Sequence, residues 1–530
     1  MEPSDVPTST HECTLVDRDL RELVRSGALT CVGASDDGLL EFVQPASIDI
    51  PVGDVAYLVK GTFLPFCQRV RSLLPEMTLE TRSLAGEGAV LLKGQTYLVY
   101  IGRVDLPPGH RGCLSPKSSI GRIDLLVRCL VDGCGLYDTV PARGGRAGGA
   151  AGTVVDDGDR GNELWVEISP RSFNIRLQAG SPLTQLMVLR DVRYTSAAEA
   201  SSSGGGDGGS ALVPAAAMPV CPPVNVVFDA SGVPIAPSWY KNCLVLSLRV
   251  PTTPGVLVGF EAVATHDVID LAMVDGHNAS AFFRPMVVDE TTQPLGRLTL
   301  VKVSAPRLPL QLYCISSSES FSRGDSLLSS PYHIALSSSP CRPRLASPLL
   351  TLLKDRFYIL CTKERVAVPP WLSAEMTPFS HLVGELRAHY AGFFDPGFGF
   401  GADGALCGTV GVLEVRSPAI VASVVCSLST THGSHCVTHS VVQYFDKNGS
   451  LLFDSLLSLT SFSFFSCLPQ VRPHETISVY DGQPIAMMEF YRNTASPERS
   501  YGEQLKGDGK VHANNYQSQS GPKLAKFFSA

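Results

Sequence analysis

No excess of basic residues marks this chain: 43 Lys and Arg stand against 50 Asp and Glu, for a net charge of −7. Without a global positive field there is no long-range pull on nucleic acid, and any affinity for phosphate must be local. A long uninterrupted apolar run is also missing. The most apolar window, Leu451 to Leu468, is broken by Asp454 and several serines, and so falls short of a membrane span. The N-terminus, Met1-Glu-Pro-Ser-Asp5, lacks the basic-then-apolar order of a secretory signal, and the 15 Cys follow no regular spacing. These absences lead to the expectation of a soluble, intracellular, cytoplasmic protein with reduced thiols. Its partner is expected to be small, neither nucleic acid nor membrane.

What is present is enough apolar material for real cores. With 530 residues, 44% of them hydrophobic and 18% charged, the chain accommodates two or more domains and is neither disordered nor fibrous. Residues 14 to 30 carry Leu15, Leu20, Leu23, Val24 and Leu29 at near-helical spacing and predict one amphipathic helix. The rest reads as mainly β. Short runs rich in β-branched and aromatic residues, such as Ala56 to Lys60 and Ala89 to Ile101, are punctuated by Gly and Pro, as in a compact barrel or jelly roll.

Composition divides the chain. Residues 141–162 are almost all Gly, Ala, Arg and Asp, and residues 195–215 are Ser, Gly and Ala, too poor in large apolar side chains to pack. The first reads as a loop insertion. The second lies in a flexible linker, 195–220, between an N-terminal domain, 1–194, and a C-terminal domain, 221–500, with a tail at 501–530. An internal similarity joins the halves. Leu114-Ser-Pro-Lys-Ser118, Leu136-Tyr-Asp138 and Trp165-Val-Glu-Ile168 recur in order as Leu372-Ser-Ala-Glu-Met376, Phe393-Phe-Asp395 and Val412-Leu-Glu-Val-Arg416. Gly180 to Val188 similarly resembles Asp481 to Phe490. This points to a tandem duplication. Residues 303–350 and 418–472 interrupt the second copy with Ser, Phe, Leu and Pro, which have pyrimidine-rich codons, and are read as surface loops or as translated introns.

The stretch Ser115-Pro-Lys-Ser-Ser-Ile-Gly-Arg122 and the later Glu167 carry the chemistry. Hydroxyls and cations at a turn supply charge-assisted hydrogen bonds to a polyphosphate, and a Glu on an apolar strand is a candidate general base. Each feature alone has a plain structural reading, as a strand-to-helix turn or a surface carboxylate paired with Arg171. Asp138 equally closes a turn or touches a sugar, and Gln185 equally recognises a nucleotide or fills an interface.

Taken in order, PKSSIGR, LYD, LWVEISPRSF and LTQLMV resemble the dCTP deaminase branch of the dUTPase-like superfamily, in its long bacterial-type form with two related halves. The later stretches GELRAHYAGFFDPGFG, VLEVRS and NNYQSQSGPKLAKFF are similar to the same members. The resemblance implies two tandem dUTPase-like domains, a distorted jelly roll or β-clip with a few short helices. It implies hydrolytic deamination of dCTP to dUTP and ammonia in pyrimidine deoxynucleotide biosynthesis. Glu167 would be the general base, Ser118 and Arg122 would position water and base, and Lys117 and Ser119 would contact the triphosphate. Asp138, Gln185, Tyr516 and Gln519 would complete the substrate site, the last two on a closing lid. Mg²⁺ would enter only with the triphosphate. The His-x-Glu and Pro-Cys-x-x-Cys elements of zinc deaminases are missing, so no catalytic zinc is expected.

A homo-oligomer, trimer-based, is implied as well. The second half has Met376-Thr-Pro-Phe-Ser380 in place of Lys117-Ser-Ser-Ile-Gly121. One catalytic set per chain, all in the first half, is therefore expected. Two alternatives remain: dUTP pyrophosphatase chemistry with Asp138 placing the water, and a non-catalytic nucleotide-binding homologue.

Overall fold

The computed structural model describes residues 12–66, 68–141, 162–191, 225–288, 349–378, 392–400, 408–416, 423–432, 435–445, 451–457, 476–501, 516 and 519–529. Residues 142–161 of the insertion, the 195–220 linker and most of 303–350 lie outside those residues. Of 418–472, only backbone strands are described.

Strands dominate, as expected from the Gly- and Pro-punctuated apolar runs. The predicted helix at 14–30 is shorter. Helix Asp17–Arg25 buries Leu20 and Val24 on one face, while Thr14 and Leu29 belong to strands Glu12–Thr14 and Leu29–Cys31. Helical spacing ran on across residues whose backbone hydrogen bonds go to sheets, so tertiary pairing overrode it. The run Ala89 to Ile101 divides similarly into strands Ala89–Leu91 and Thr96–Val104, with Gly94 between them at φ +81°, a conformation that costs glycine little.

The repeated sequence order is matched by repeated pairing. In the first half, strand His110–Pro116 pairs antiparallel with Pro182–Asp191, placing Leu114 opposite Leu186. In the second half, Leu372–Pro378 pairs antiparallel with Pro484–Asn493, placing Ala374 opposite Phe490. The Glu-bearing strands have equivalent neighbours too: Asn162–Pro170 pairs with Thr96–Val104, and Thr409–Arg416 with Phe357–Val366.

The three-residue strand Glu12–Thr14 joins the halves. It runs antiparallel to Pro182–Asp191 on one side and parallel to Pro484–Asn493 on the other, making one continuous sheet from both halves. The first-half core, built on residues such as Tyr97, Ile123 and Phe173, also takes in Phe283, Ile359 and Val412 of the second half and Phe527 and Phe528 of the tail. Phe528 lies between Phe282 and Phe283, with ring centroids 5.5 and 5.4 Å away. Burial on that scale, at roughly 1.5–3 kcal/mol per large apolar side chain, fixes the tail against both halves. Among the described residues, no helix is long and apolar enough to cross a membrane.

Candidate active site

Strand His110–Pro116 ends where Pro116 can no longer donate to the ladder. A single helical turn, Ser118–Gly121, follows and turns Arg122 inward. Ser118 is exposed and Ser119 buried. Arg122 is 3% exposed, an unusual position for a guanidinium, and its partners come from elsewhere in the chain. Its Nη1 donates to the Lys523 carbonyl at 3.0 Å and to Gln519 Oε1 at 3.4 Å. Its guanidinium covers the Tyr516 ring, 3.9 Å from the centroid, a distance suited to a cation–π contact.

A further neighbour of Arg122 is a carboxylate from the second half. Glu414, in the middle of strand Thr409–Arg416, brings Oε1 to 3.7 Å from Arg122 Nε. That separation is too long for a direct hydrogen bond, and Nε has no hydrogen-bond partner among the described residues. Burial pushes the Glu414 carboxyl up to about 8, with the Arg122 charge pulling the other way. Gln519 ties the tail to the same strand, donating from Nε2 to the Val410 carbonyl at 2.9 Å.

Beside this pair lies a second group that spans the halves. Asp395 accepts from the Ala46 N–H at 3.2 Å and the Ser47 hydroxyl at 3.4 Å, and burial raises it to about 7, helped by the nearby negative charge of Asp49. The turn after Asp395 needs glycine. Gly397 has φ +93°, and a Cβ there would meet Ser500 Cβ at 2.8 Å and the Tyr501 backbone nitrogen at 3.0 Å. Lys117 is paired with Asp49, whose other oxygen accepts from Gln185 Nε2 at 2.9 Å. Gln185 therefore uses its amide to hold the Asp49 that holds Lys117.

Glu167 lies in a different neighbourhood. It sits mid-strand on Asn162–Pro170, opposite Arg128 on strand Leu125–Val131, and is 2% exposed. Burial raises its carboxyl to about 7, opposed by Arg128, by Arg171 and by the Phe63 N–H. Asp138 belongs to this second group. It has φ +59°, accepts from the Cys129 N–H at 2.7 Å, and lies 3.7 Å from Arg128.

The nine residues singled out from the sequence thus separate. Lys117, Ser118, Ser119, Arg122, Gln185, Tyr516 and Gln519 lie around the junction of the two halves, while Glu167 and Asp138 lie around Arg128. Within the chain the expected set is not brought together: the carboxylate facing Arg122 is Glu414, not Glu167. The signal was present in the duplication, because the second half keeps the Glu and Asp positions but lacks the hydroxyl and cation positions. Packing of the halves brings the first-half cation Arg122 and the second-half carboxylate Glu414 together.

Two sequence-family models match the chain. The N-terminal domain of 2'-deoxycytidine 5'-triphosphate deaminase matches residues 11–192, and the C-terminal domain of the same enzyme matches residues 342–425. Between them they match half of the chain. Among solved structures, 2'-deoxycytidine 5'-triphosphate deaminase from Agrobacterium tumefaciens has a similar fold, with a TM-score of 0.54 and 23% identity over 91% of this chain and 99% of that one. No curated protein sequence matches.

Proposed function

The chain belongs to the 2'-deoxycytidine 5'-triphosphate deaminase family, a hydrolase family acting on a C–N bond, and we propose that it deaminates dCTP at the junction of Arg122, Glu414 and the tail. The observation that carries this reading is the buried Arg122–Glu414 pair, in which the unpartnered Arg122 Nε faces Glu414 Oε1 across 3.7 Å.

In this reading a water sits between the two groups. Glu414 in its ionised form removes a proton as the water oxygen bonds to C4 of cytosine, and Arg122 Nε stabilises the developing negative charge. One water proton ends on ring N3 and the other, relayed by Glu414, on the exocyclic nitrogen; the C4–N bond breaks with its electron pair on nitrogen, C4 is left as a carbonyl, and ammonia leaves. The products are dUTP and ammonia. Lys117 and the two serines sit one helical turn away, suited to the triphosphate, and Asp395 takes the sugar role expected of Asp138. Tyr516 and Gln519 close the site against bulk water.

Mg²⁺ is proposed to arrive bridging phosphate oxygens. Asp49, which pairs with Lys117, and Asp395 are already engaged with protein donors and are not needed to hold it. The trimer-based oligomer is carried forward as part of the same proposal, with light scattering on the purified protein to give its number.

The test is turnover of dCTP by two variants. Glu414→Gln keeps the shape and removes the base, so ammonia release should fall at least a thousandfold, while Glu167→Gln retains it. The reverse pattern would return the base to Glu167.

A further inference from the structure

The carboxylate left outside the composite site has its own surroundings. Glu167 is almost wholly buried, yet its Oε2 has no hydrogen-bond partner among the described residues. A buried carboxylate oxygen without a donor is costly, and such atoms in folded proteins usually face a ligand or an ordered water.

Above it lies an amphipathic rim. The Arg128 guanidinium covers the Tyr137 ring at 5.3 Å, and the Tyr137 hydroxyl donates to the Phe63 carbonyl at 3.2 Å. The loop that begins at Phe63 also presents Phe66, which is 62% exposed and held at φ +48°. A bulky residue in the left-handed region is strained, and such strain tends to be kept where it aims a side chain at something. Leu136, 51% exposed, is its neighbour across Gly135, where a Cβ would stand 3.1 Å from the Phe66 ring. Exposed apolar walls, an exposed guanidinium and a buried acceptor match a planar heterocycle bearing N–H groups and a phosphate.

The duplication narrows the class. Glu167 and Asp138 are the first-half copies of Glu414 and Asp395, so the ring chemistry they face is that of a pyrimidine nucleotide. The catalytic complement is absent here, because Lys117 to Arg122 are committed to the composite site and Met376-Thr-Pro378 replaces them in the second half. We propose that Glu167, Arg128, Tyr137 and Phe66 form a second pyrimidine-nucleotide site on each chain, one that binds without turnover. With its carboxyl raised to about 7, Glu167 is present in both forms near neutrality and can accept from a ring N–H or donate to a ring carbonyl.

Equilibrium dialysis of labelled dUTP against the full chain tests this, since the deamination product is not consumed. Arg128→Ala, at an exposed side chain, and Glu167→Gln, which preserves shape, should each remove one bound dUTP per chain or weaken it at least ~tenfold. Unchanged stoichiometry and affinity in both variants would overturn the proposal. Lys117→Ala separates it from the catalytic reading: that substitution should release only the dUTP held at the composite site.

Discussion

Arg122 and Glu414 come from opposite halves of the chain and meet with Nε and Oε1 3.7 Å apart, each at most 3% exposed. Desolvating two opposite charges costs several kcal/mol per ion, and an apolar pair of similar volume would serve stability as well or better. The pair therefore reads as chemistry carried at some expense to stability.

The first consequence is a pH dependence. In the proposed role Glu414 acts as a base only when ionised, and burial holds its carboxyl up to about 8. The value of kcat/KM should therefore rise about tenfold per pH unit below that point and level off above it. Steady-state ammonia release between pH 6 and 9 gives the profile, and a rate that is flat across the range would remove Glu414 from the role.

Arg122→Lys should be far from conservative. Lysine keeps the charge but cannot donate to Gln519 and Lys523 while also covering Tyr516 and facing Glu414. We expect kcat to fall about a hundredfold to a thousandfold, with a smaller change in KM. Near-normal kcat would mean that only the positive charge matters.

Much of this was legible in the sequence, but unevenly. The β character, the turn at Ser118 and the order of the motifs were readable because each depends on local chemistry: β-branched runs, Gly and Pro breaks, small hydroxyls after a proline. The extent of the first helix was not, since Thr14 and Leu29 take their conformation from partners far away in the chain. Nor was the partner of Arg122. Motif order along the chain places Glu167 nearest in sequence, and only packing of one half against the other brings Glu414 closer. Gln185 was likewise ambiguous, because an amide facing inward looks the same whether it meets a ligand or Asp49.

Loss of the tail anchor should be felt at the site. Phe528 is 5% exposed against Phe282 and Phe283, so Phe528→Ala should cost on the order of 3–5 kcal/mol locally, enough to release the segment that carries Gln519 and Tyr516. The expected result is faster proteolysis beyond residue 501 and a drop in kcat/KM of about tenfold or more. A fully active but less stable variant would show that the tail only braces the fold.

Asp395→Asn should change stability in a pH-dependent direction. The folded-state carboxyl titrates at about 7, above its ordinary value of 3.8, so the folded protein holds an extra proton between those two points. That contribution is intact below the ordinary value and is lost as pH rises through 7. The asparagine variant keeps the acceptor for Ala46 and Ser47 without the buried charge. Its melting temperature should match the wild type near pH 4 and exceed it by ~2 °C or more at pH 8. A difference that is constant with pH would refute the assignment.

The strand Glu12–Thr14 and the Phe527–Phe528 anchor have a consequence for how the protein is made. Glu12–Thr14 is translated well before its sheet partner Pro484–Asn493, and the first-half core before the Phe527 and Phe528 rings that complete it. Arg122 is exported long before Glu414, and both precede the tail that covers them. A nascent chain consequently carries the hydroxyls and cations of the proposed site before the carboxylate that faces them, and under that proposal deamination begins only once translation has run through Phe528.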